Sequence, residues 1–170
     1  MAVAITGGTG FIGQALVTRL VNEGQSVRLI VRKGNSSRLN KKLSVETFRA
    51  DLNDVDSLIA GLKGCSQVYH LAALAKNFDP QPENFYRVNV EGFRSILEAS
   101  LAVGLRRVVF VSSSVVKGPS RGEPVRESSR RPDLPFFTDY EKSKALADKI
   151  IDDYLDKGLE VMVARPTRVY

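Results

Sequence analysis

The sequence contains very little of the chemistry that builds disulfides and metal sites. Its 170 residues include one cysteine, Cys65, one histidine, His70, and no tryptophan. A single cysteine cannot form an internal disulfide, and one cysteine with one histidine is too few for a zinc site. We therefore expect no metal, and we expect Cys65 to be a small core residue in the reducing cytoplasm.

Long apolar runs are also missing, and we expect no secretory leader. No run approaches the roughly 20 apolar residues of a membrane helix, and the start, MAVAITGGTG, has no basic leader or cleavage site. Apolar residues make up 43% and charged residues 26% of the chain, which is ordinary for a globular protein. We expect one soluble domain with no membrane partner.

The excess of positive charge is small and scattered. Twenty-five basic and 19 acidic residues give a net charge of +6. Basic residues concentrate only at 32–42 and 126–131, and neither segment is interleaved with aromatic residues that could stack on bases. Nucleic acid is therefore not an expected partner.

Short apolar runs alternate with longer helical patterns along the whole chain. The predicted strands are 2–5, 27–31, 45–50, 68–73, 108–111 and 159–164, and the predicted helices are 11–23, 55–62, 82–103 and 138–157. The run 108–111 is continuously apolar, as in a strand buried on both faces, and the Gly-, Pro- and Ser-rich segment 118–135 predicts a loop. This alternation predicts a doubly wound α/β domain of the Rossmann type, with a parallel sheet in the order 3-2-1-4-5-6.

A glycine-rich turn separates the first predicted strand from the first predicted helix. Gly7, Gly10 and Gly13 frame it, and Phe11 and Ile12 open the helix. Glycines let the backbone approach a pyrophosphate closely, and a helix N-terminus offers N–H donors to it. The strand–turn–helix context favours a dinucleotide site over the alternative of a mere tight turn.

The residues after the second and third strands bear on the identity of the dinucleotide. Arg32 stands where an NAD site usually has an acidic residue, and a guanidinium can pair with the 2′-phosphate of NADP. We expect Arg32 to bind NADP with the help of Lys33 and Arg38; a solvated basic loop is the alternative. Asp51 is expected near the adenine amine, although it could equally cap a turn.

A second group of residues suggests catalysis. Tyr140 and Lys144 are four residues apart, on one face of a predicted helix. A cation near a phenol favours the phenolate, so such a tyrosine can exchange a proton with an alcohol or carbonyl oxygen. The serines 112–114, at the end of the fifth strand, could donate a hydrogen bond to the same oxygen.

These motifs together resemble those of the extended short-chain dehydrogenases/reductases, the family of sugar-nucleotide epimerases, dehydratases and dihydroflavonol-type reductases. The motifs are Thr6–Gly13, Asp51-Leu52, His70–Ala73, Asn89–Gly92, Ser112–Ser114, Tyr140–Lys144 and Arg165-Pro166. They follow the family order and spacing over nearly the whole chain. The basic end of the second strand is more similar to the NADP-using, dihydroflavonol-reductase-like branch than to the NAD-bound epimerases.

The resemblance assigns roles to individual residues. It implies that Tyr140 is the general acid/base and that Lys144 holds the nicotinamide ribose and tunes Tyr140. Ser113 would orient the substrate oxygen. Residues 116–118 resemble the family's Val-Tyr-Gly, with a lysine in place of the tyrosine, and counting back from them leads to Ser113. Further cofactor contacts are expected from Leu52, Ala72 and Ala73. His70 would lie beside the cofactor as a structural residue.

The resemblance also concerns assembly and length. It implies a homodimer formed through the helices predicted at 82–103 and 138–157. Family members are roughly twice as long, so we expect residues 1–170 to be the NAD(P)-binding domain and the C-terminal substrate-binding domain to be absent from this chain.

Three functions are therefore considered. The first is an NADP-dependent oxidoreductase acting on a carbonyl or secondary alcohol. The second is a sugar-nucleotide epimerase or dehydratase with tightly held NAD, whose nucleotide-sugar diphosphate could be met by Arg126, Arg130 and Arg131. The third is a non-catalytic, NAD(P)-binding redox sensor; such proteins commonly lack the tyrosine–lysine pair, which is intact here.

Overall fold

A computed structural model of the chain describes residues 1–32, 43–120, 122–129, 131–167 and 169. The strands are β1 (Ala2–Thr6), β2 (Val27–Val31), β3 (Glu46–Arg49), β4 (Cys65–His70), β5 (Arg107–Val111) and β6 (Glu160–Ala164). The helices are α1 (Phe11–Asn22), α2 (Val55–Leu62), α3 (Glu83–Tyr86), α4 (Gly92–Ala102), α5 (Asp139–Lys149) and α6 (Asp152–Leu155). A π-helical turn (Arg87–Glu91) joins α3 to α4, and a 3-10 turn (Ser114–Lys117) follows β5.

The six strands form one parallel sheet in the order β3-β2-β1-β4-β5-β6. This confirms the predicted doubly wound topology. Because all strands run in the same direction, their carboxyl ends meet at one edge of the sheet, where Thr6, His70 and Phe110 lie side by side in register. Residues that follow different strands in the sequence are therefore neighbours in space.

Two apolar clusters cover the two faces of the sheet. The larger one packs α2, α4 and α5 on one face, through buried side chains such as Leu58, Phe93 and Ala147. The smaller one packs α1 on the other face of β1 and β2, through Val17 and Leu29. Within the described residues, no helix is both long enough and apolar enough to cross a bilayer.

The prediction that β5 is buried on both faces is wrong. Val108 and Phe110 are buried, whereas Val109 and Val111 are only half-buried. The reason is that α4 and α5 pack on one face, while α1, on the other face, packs on β1 and β2.

The predicted boundaries of β4 are also wrong by three residues. The strand was expected at 68–73 and is found at Cys65–His70. Its extent is set by pairing with β1, which places Cys65 opposite Ala2 and His70 opposite Thr6. The apolar residues 71–73 lie beyond the strand and are free to line the sheet edge.

Two predicted helices are not regular along their whole length. The one expected at 82–103 is helical throughout but contains the π turn. The one expected at 138–157 is interrupted between α5 and α6, where the backbone N–H of Ile151 bonds to the carbonyl of Asp148, three residues back. Ile150 and Ile151 are both buried there, although consecutive residues of a regular helix point about 100° apart.

Candidate active site

A cleft of about 400 Å³ opens at the carboxyl edge of the sheet, between the ends of β1, β2, β3 and β4. Seven of the predicted cofactor-binding residues line it: Gly7, Gly10, Arg32, Asp51, Leu52, Ala72 and Ala73. Phe11 and Ile12 begin α1 and are exposed, at 68% and 37%. Lys33 and Arg38 lie outside the described residues.

The glycine turn is packed so closely that a side chain would not fit at Gly7 or at Gly13. Gly7 has a φ of +71°, and a Cβ on it would lie 2.5 Å from the backbone nitrogen of Ala72. A Cβ on Gly13 would lie 2.2 Å from the carbonyl oxygen of Gly7. The turn leads directly into the first turn of α1, which begins at Phe11. The N–H groups there have no intrahelical partners, so they can donate to a pyrophosphate.

The far end of the cleft carries Arg32 and the turn that follows β3. Arg32 is exposed and lines the cleft together with residues 51–53. One carboxylate oxygen of Asp51 accepts hydrogen bonds from the backbone N–H and the side-chain amide of Asn53, both at 2.9 Å. Asp51 therefore caps this turn, which was the alternative considered for it, and it does so in the cleft wall.

Lys144 is buried against the end of β5. Its side chain is 2% exposed, and its ammonium donates to the carbonyl of Val111 at 3.0 Å. The same ammonium lies 4.3 Å from the ring centroid of Phe110. Burial lowers the pKa of Lys144 to about 8, and the nearby carboxylate of Asp148 acts in the opposite direction.

The three serines after β5 have different surroundings. The hydroxyl of Ser112 donates to the carboxylate of Asp148 at 2.6 Å. Ser113 is 9% exposed, and its hydroxyl oxygen accepts a hydrogen bond from the backbone N–H of Val115 at 3.4 Å, at the start of the 3-10 turn. Ser114 is half-buried. The hydroxyl of Ser112 is therefore already engaged with α5.

The start of α5, which carries Tyr140, is held by a capping box. The hydroxyl of Thr138 accepts from the backbone N–H of Glu141 at 3.1 Å, and the carboxylate of Glu141 accepts from the backbone N–H of Phe137 at 2.9 Å. Tyr140 itself is half-buried, and its carbonyl accepts from the hydroxyl of Ser143 at 2.8 Å. The backbone at Tyr140 is thus fixed from both sides.

Asn89, on the π turn, connects the segment after β4 to α5, a connection that the sequence analysis did not predict. The Asn89 side chain is 1% exposed; it accepts from the N–H of Leu74 at 2.8 Å and donates to its carbonyl at 3.1 Å. It also donates to Ser143 at 2.9 Å, and Ser143 donates to the carbonyl of Tyr140. The Asn-Val-Glu-Gly motif marked the position, but only the fold brings Ser143 to it.

His70 is enclosed in the sheet edge. One of its ring nitrogens is 2.7 Å from the hydroxyl of Thr6, and its ring stacks on Phe93 and Phe110 at centroid distances of 5.4 and 6.0 Å. The other ring nitrogen is buried without a hydrogen-bond partner among the described residues. Burial, and secondarily the charge of Lys144, lower the pKa of His70 to about 3. The imidazole is therefore neutral near neutral pH.

The enclosed imidazole of His70 predicts a specific pH dependence of stability. Its pKa is about 3 in the folded chain and about 6.5 when unfolded, so below pH 6.5 the unfolded state binds the extra proton. We expect the free energy of unfolding to fall by about 2 kcal/mol between pH 7.5 and pH 5 from this residue alone. Lys144 adds only about 0.2 kcal/mol in this window, because with a folded pKa of about 8 it is mostly charged in both states at pH 7.5 and fully charged at pH 5.

Urea unfolding at the two pH values measures this effect. The His70→Asn variant, which cannot take up the proton, is expected to lose about 2 kcal/mol less than the unaltered chain over the same interval. Equal losses of unfolding free energy in the two proteins between pH 7.5 and pH 5 would contradict the assignment of this pH dependence to His70.

A doubly wound sheet, a glycine turn and a cleft at the carboxyl edge define a dinucleotide-binding domain. Residues 3–170 match the NAD dependent epimerase/dehydratase family, and the chain belongs to this family.

Curated relatives in the family include reductases. The chain is 32% identical over 164 residues to a putative dihydroflavonol 4-reductase of Synechocystis sp., with 96% of this chain and 48% of the relative covered. It is 30% identical over 169 residues to sterol demethylase protein B of Methylococcus capsulatus, with 99% and 52% covered. The chain thus spans about half the length of these relatives.

Solved structures with the same fold include epimerases. The UDP-glucose 4-epimerase of Thermus thermophilus, in complex with NAD, is 28% identical and superposes with a TM-score of 0.83. The match covers 97% of this chain and 54% of the epimerase.

Proposed function

We propose that the chain is the cofactor-binding domain of an NADP-dependent oxidoreductase acting on a carbonyl compound or a secondary alcohol. The observation that carries this proposal is Arg32, which lines the cleft where β2 ends. A guanidinium at this point can pair with a 2′-phosphate in a bidentate fork, whereas the carboxylate of an NAD site would repel it. The reductases among the relatives support the same reading.

Each residue of the site has its own role in the proposed reaction. NADP, when bound, supplies or accepts the hydride. The glycine turn holds the pyrophosphate, and Arg32 holds the 2′-phosphate. Tyr140 gives a proton to the substrate oxygen or takes one from it, and Ser113 orients that oxygen by a hydrogen bond. Lys144 binds the nicotinamide ribose.

Cofactor titration tests the role of Arg32. We expect NADP to bind about 10- to 100-fold more tightly than NAD, because hydrogen bonds to a charged group contribute about 1.5–3 kcal/mol. The Arg32→Gln variant is expected to lose most of this preference through weaker NADP binding, with NAD binding unchanged. Isothermal titration calorimetry of both dinucleotides measures the two dissociation constants.

Arg19→Gln is the matched control for this experiment. It removes the same charge from the exposed face of α1, where the guanidinium pairs with Glu23 outside the cleft. We expect it to leave the ratio of the two dissociation constants unchanged. NAD binding as tight as NADP binding in the unaltered chain would contradict the assignment of Arg32.

An NAD-dependent epimerase or dehydratase acting on a nucleotide sugar is the second candidate. The NAD-bound epimerase among the structural neighbours favours it, and the same titration separates the two functions. The guanidinium of Arg131 donates to the carbonyls of Val115 and Pro135 and lies 4.0 Å from the Phe136 ring centroid, so it is already engaged within its loop. Arg126 is exposed, and Arg130 lies outside the described residues.

Further features of the whole protein stay predictions from the family resemblance. These are a substrate-binding domain in the full-length protein, a homodimer formed through the helices predicted at 82–103 and 138–157, and a cytoplasmic location. For turnover assays, a dihydroflavonol is the first probe, because a putative dihydroflavonol 4-reductase is among the relatives.

A further inference from the structure

Asp148, near the end of α5, uses both carboxylate oxygens in contacts with other parts of the sheet edge. One oxygen accepts from the hydroxyl of Ser112 at 2.6 Å. The other accepts a hydrogen bond from Nε of the Arg165 guanidinium at 3.0 Å, and a second guanidinium nitrogen forms an ion pair with it at 2.9 Å. The side chains of Asp148 and Arg165 are only 14% and 22% exposed, so this ion pair is largely shielded from water.

These contacts join three elements and a loop. Ser112 follows β5, Arg165 follows β6, and Asp148 belongs to the helix that carries Tyr140. The third guanidinium nitrogen of Arg165 donates to the carboxylate of Glu127 at 3.0 Å, which brings in the loop between β5 and α5. Asp148 therefore attaches α5 to the ends of both strands, beside the hydrogen bond from Lys144 to the carbonyl of Val111.

The residues on either side of Ser113 are also held by backbone hydrogen bonds to the end of β6 and the residues after it. The backbone N–H of Ser112 donates to the carbonyl of Ala164 at 2.8 Å, and that of Ser114 donates to the carbonyl of Pro166 at 3.1 Å. With the Ser112 hydroxyl bound to Asp148, Ser113 lies between two anchored neighbours. Its position relative to α5 depends on these contacts.

Asp148 also contributes charge. It lies one helical turn beyond Lys144, and its carboxylate raises the pKa of Lys144 against the larger effect of burial. The other titratable groups near Lys144 are His70, from β4, and Tyr140, one turn earlier on α5. On the far side of Asp148 lie Arg165 and then Glu127.

We propose that Asp148 is a positioning residue for the group formed by Ser113, Tyr140 and Lys144. It holds the end of β5 against α5, and it places a negative charge one helical turn from Lys144. The proposal rests on the proposed function for the catalytic roles of those three residues. The attachment of α5 by Asp148, and the charge of Asp148 near Lys144, rest only on the contacts of Asp148 described above and not on the proposed function.

Two variants that break the same ion pair separate the charge effect from a merely structural one. Asp148→Asn removes a negative charge close to Lys144, and we expect the pKa of Lys144 to fall below about 8. Arg165→Gln removes a positive charge from behind Asp148, and we expect the pKa of Lys144 to rise. NMR titration of chains labelled with ¹³C at the lysine ε-carbons measures both, with a Lys144→Met variant to assign the signal.

The directions of the two shifts decide the charge part of the proposal. Shifts of the same sign in the two variants, or no shift in either, would overturn it. Should Asp148→Asn fail to fold, as judged by circular dichroism, Arg165→Gln alone decides, because an unchanged or lowered pKa is again a refutation. The titration needs no substrate, so its outcome is independent of whether the proposed function is correct.

Ser112→Ala tests the attachment without altering any charge. The variant keeps the backbone bonds to Ala164 and Pro166 but loses the hydrogen bond to Asp148, and we expect kcat of the full-length protein to fall by about 10- to 100-fold because Ser113 is held less firmly against α5. The pKa of Lys144 and the dissociation constant of NADP are expected to stay as they are. An unchanged kcat would overturn the positioning role, whereas a failure of the proposed function would appear separately, as full turnover in Tyr140→Phe.

Discussion

Tyr140→Phe is expected to lower kcat of the full-length protein by about 10²- to 10⁴-fold, the usual contribution of a general acid/base. The change removes one oxygen from a half-buried side chain whose backbone is held by the capping box and by Ser143. The fold and the cofactor cleft therefore remain, and the dissociation constant of NADP is expected to stay nearly unchanged. Steady-state kinetics with a carbonyl substrate, together with calorimetry, separates the two effects.

Tyr86→Phe is the matched control for the loss of a phenol. The hydroxyl of Tyr86 donates to Asp139, at the start of α5, at 2.8 Å. Burial and this carboxylate raise the pKa of Tyr86 to about 12, which keeps the phenol protonated at neutral pH. We expect this variant to lose about 1 kcal/mol of stability and little turnover. Full turnover in Tyr140→Phe would remove the acid/base role from Tyr140.

Gly13→Ala is expected to lower the free energy of unfolding by about 3 kcal/mol or more and to abolish NADP binding. The added Cβ would lie 2.2 Å from the carbonyl oxygen of Gly7 and 2.7 Å from the Cα of Gly8, so the backbone of the turn would have to move. The higher helix propensity of alanine offsets at most about 1 kcal/mol of this loss in stability. Urea unfolding and calorimetry measure the two losses.

Gly10→Ala controls for adding a methyl group to the same turn. Its Cβ would approach the carbonyl oxygen of Gly7 no closer than 3.3 Å, and the φ of Gly10, −80°, suits any residue. We expect the loss of stability to stay below about 1 kcal/mol. Equal stabilities for the two variants would mean that the turn is less rigid than its close contacts imply.

The sequence was sufficient to predict the architecture because each element carries its own local signals. Helix α2 begins and ends where it was predicted, and Asp54 caps it by accepting from the backbone N–H of Ser57. The strand order followed from strand–helix alternation and the right-handed crossover rule. The boundaries of β4 depended on its pairing with β1, which no local pattern records.

The irregular helical segments could not be predicted from periodicity. The π turn lies where the Asn89 side chain binds Leu74 and Ser143, residues distant in sequence. The end of α5 coincides with the burial of both Ile150 and Ile151. Such features arise from tertiary packing, and a helical pattern in the sequence continues through them.

The candidate site also contains some residues that the sequence predicts and others that only the fold reveals. The glycine turn and Arg32 were predicted because strand–turn–helix context places them at the sheet edge. Asp148 was not predicted, although it is four residues after Lys144 and so on the same helix face. Its partners, Ser112 and Arg165, come from two other strands, and only the folded chain brings them within hydrogen-bonding distance.

We expect a dinucleotide to lie along the carboxyl edge of the sheet, from the glycine turn to Tyr140 and Lys144. A crystal structure of the chain with NADP tests it most directly. The pyrophosphate is expected about 3 Å from the backbone N–H groups between Gly7 and Gly13, with the nicotinamide ring beside Tyr140 and Lys144. A pyrophosphate bound away from this turn, or a Tyr140 hydroxyl directed away from the ring, would contradict the claim.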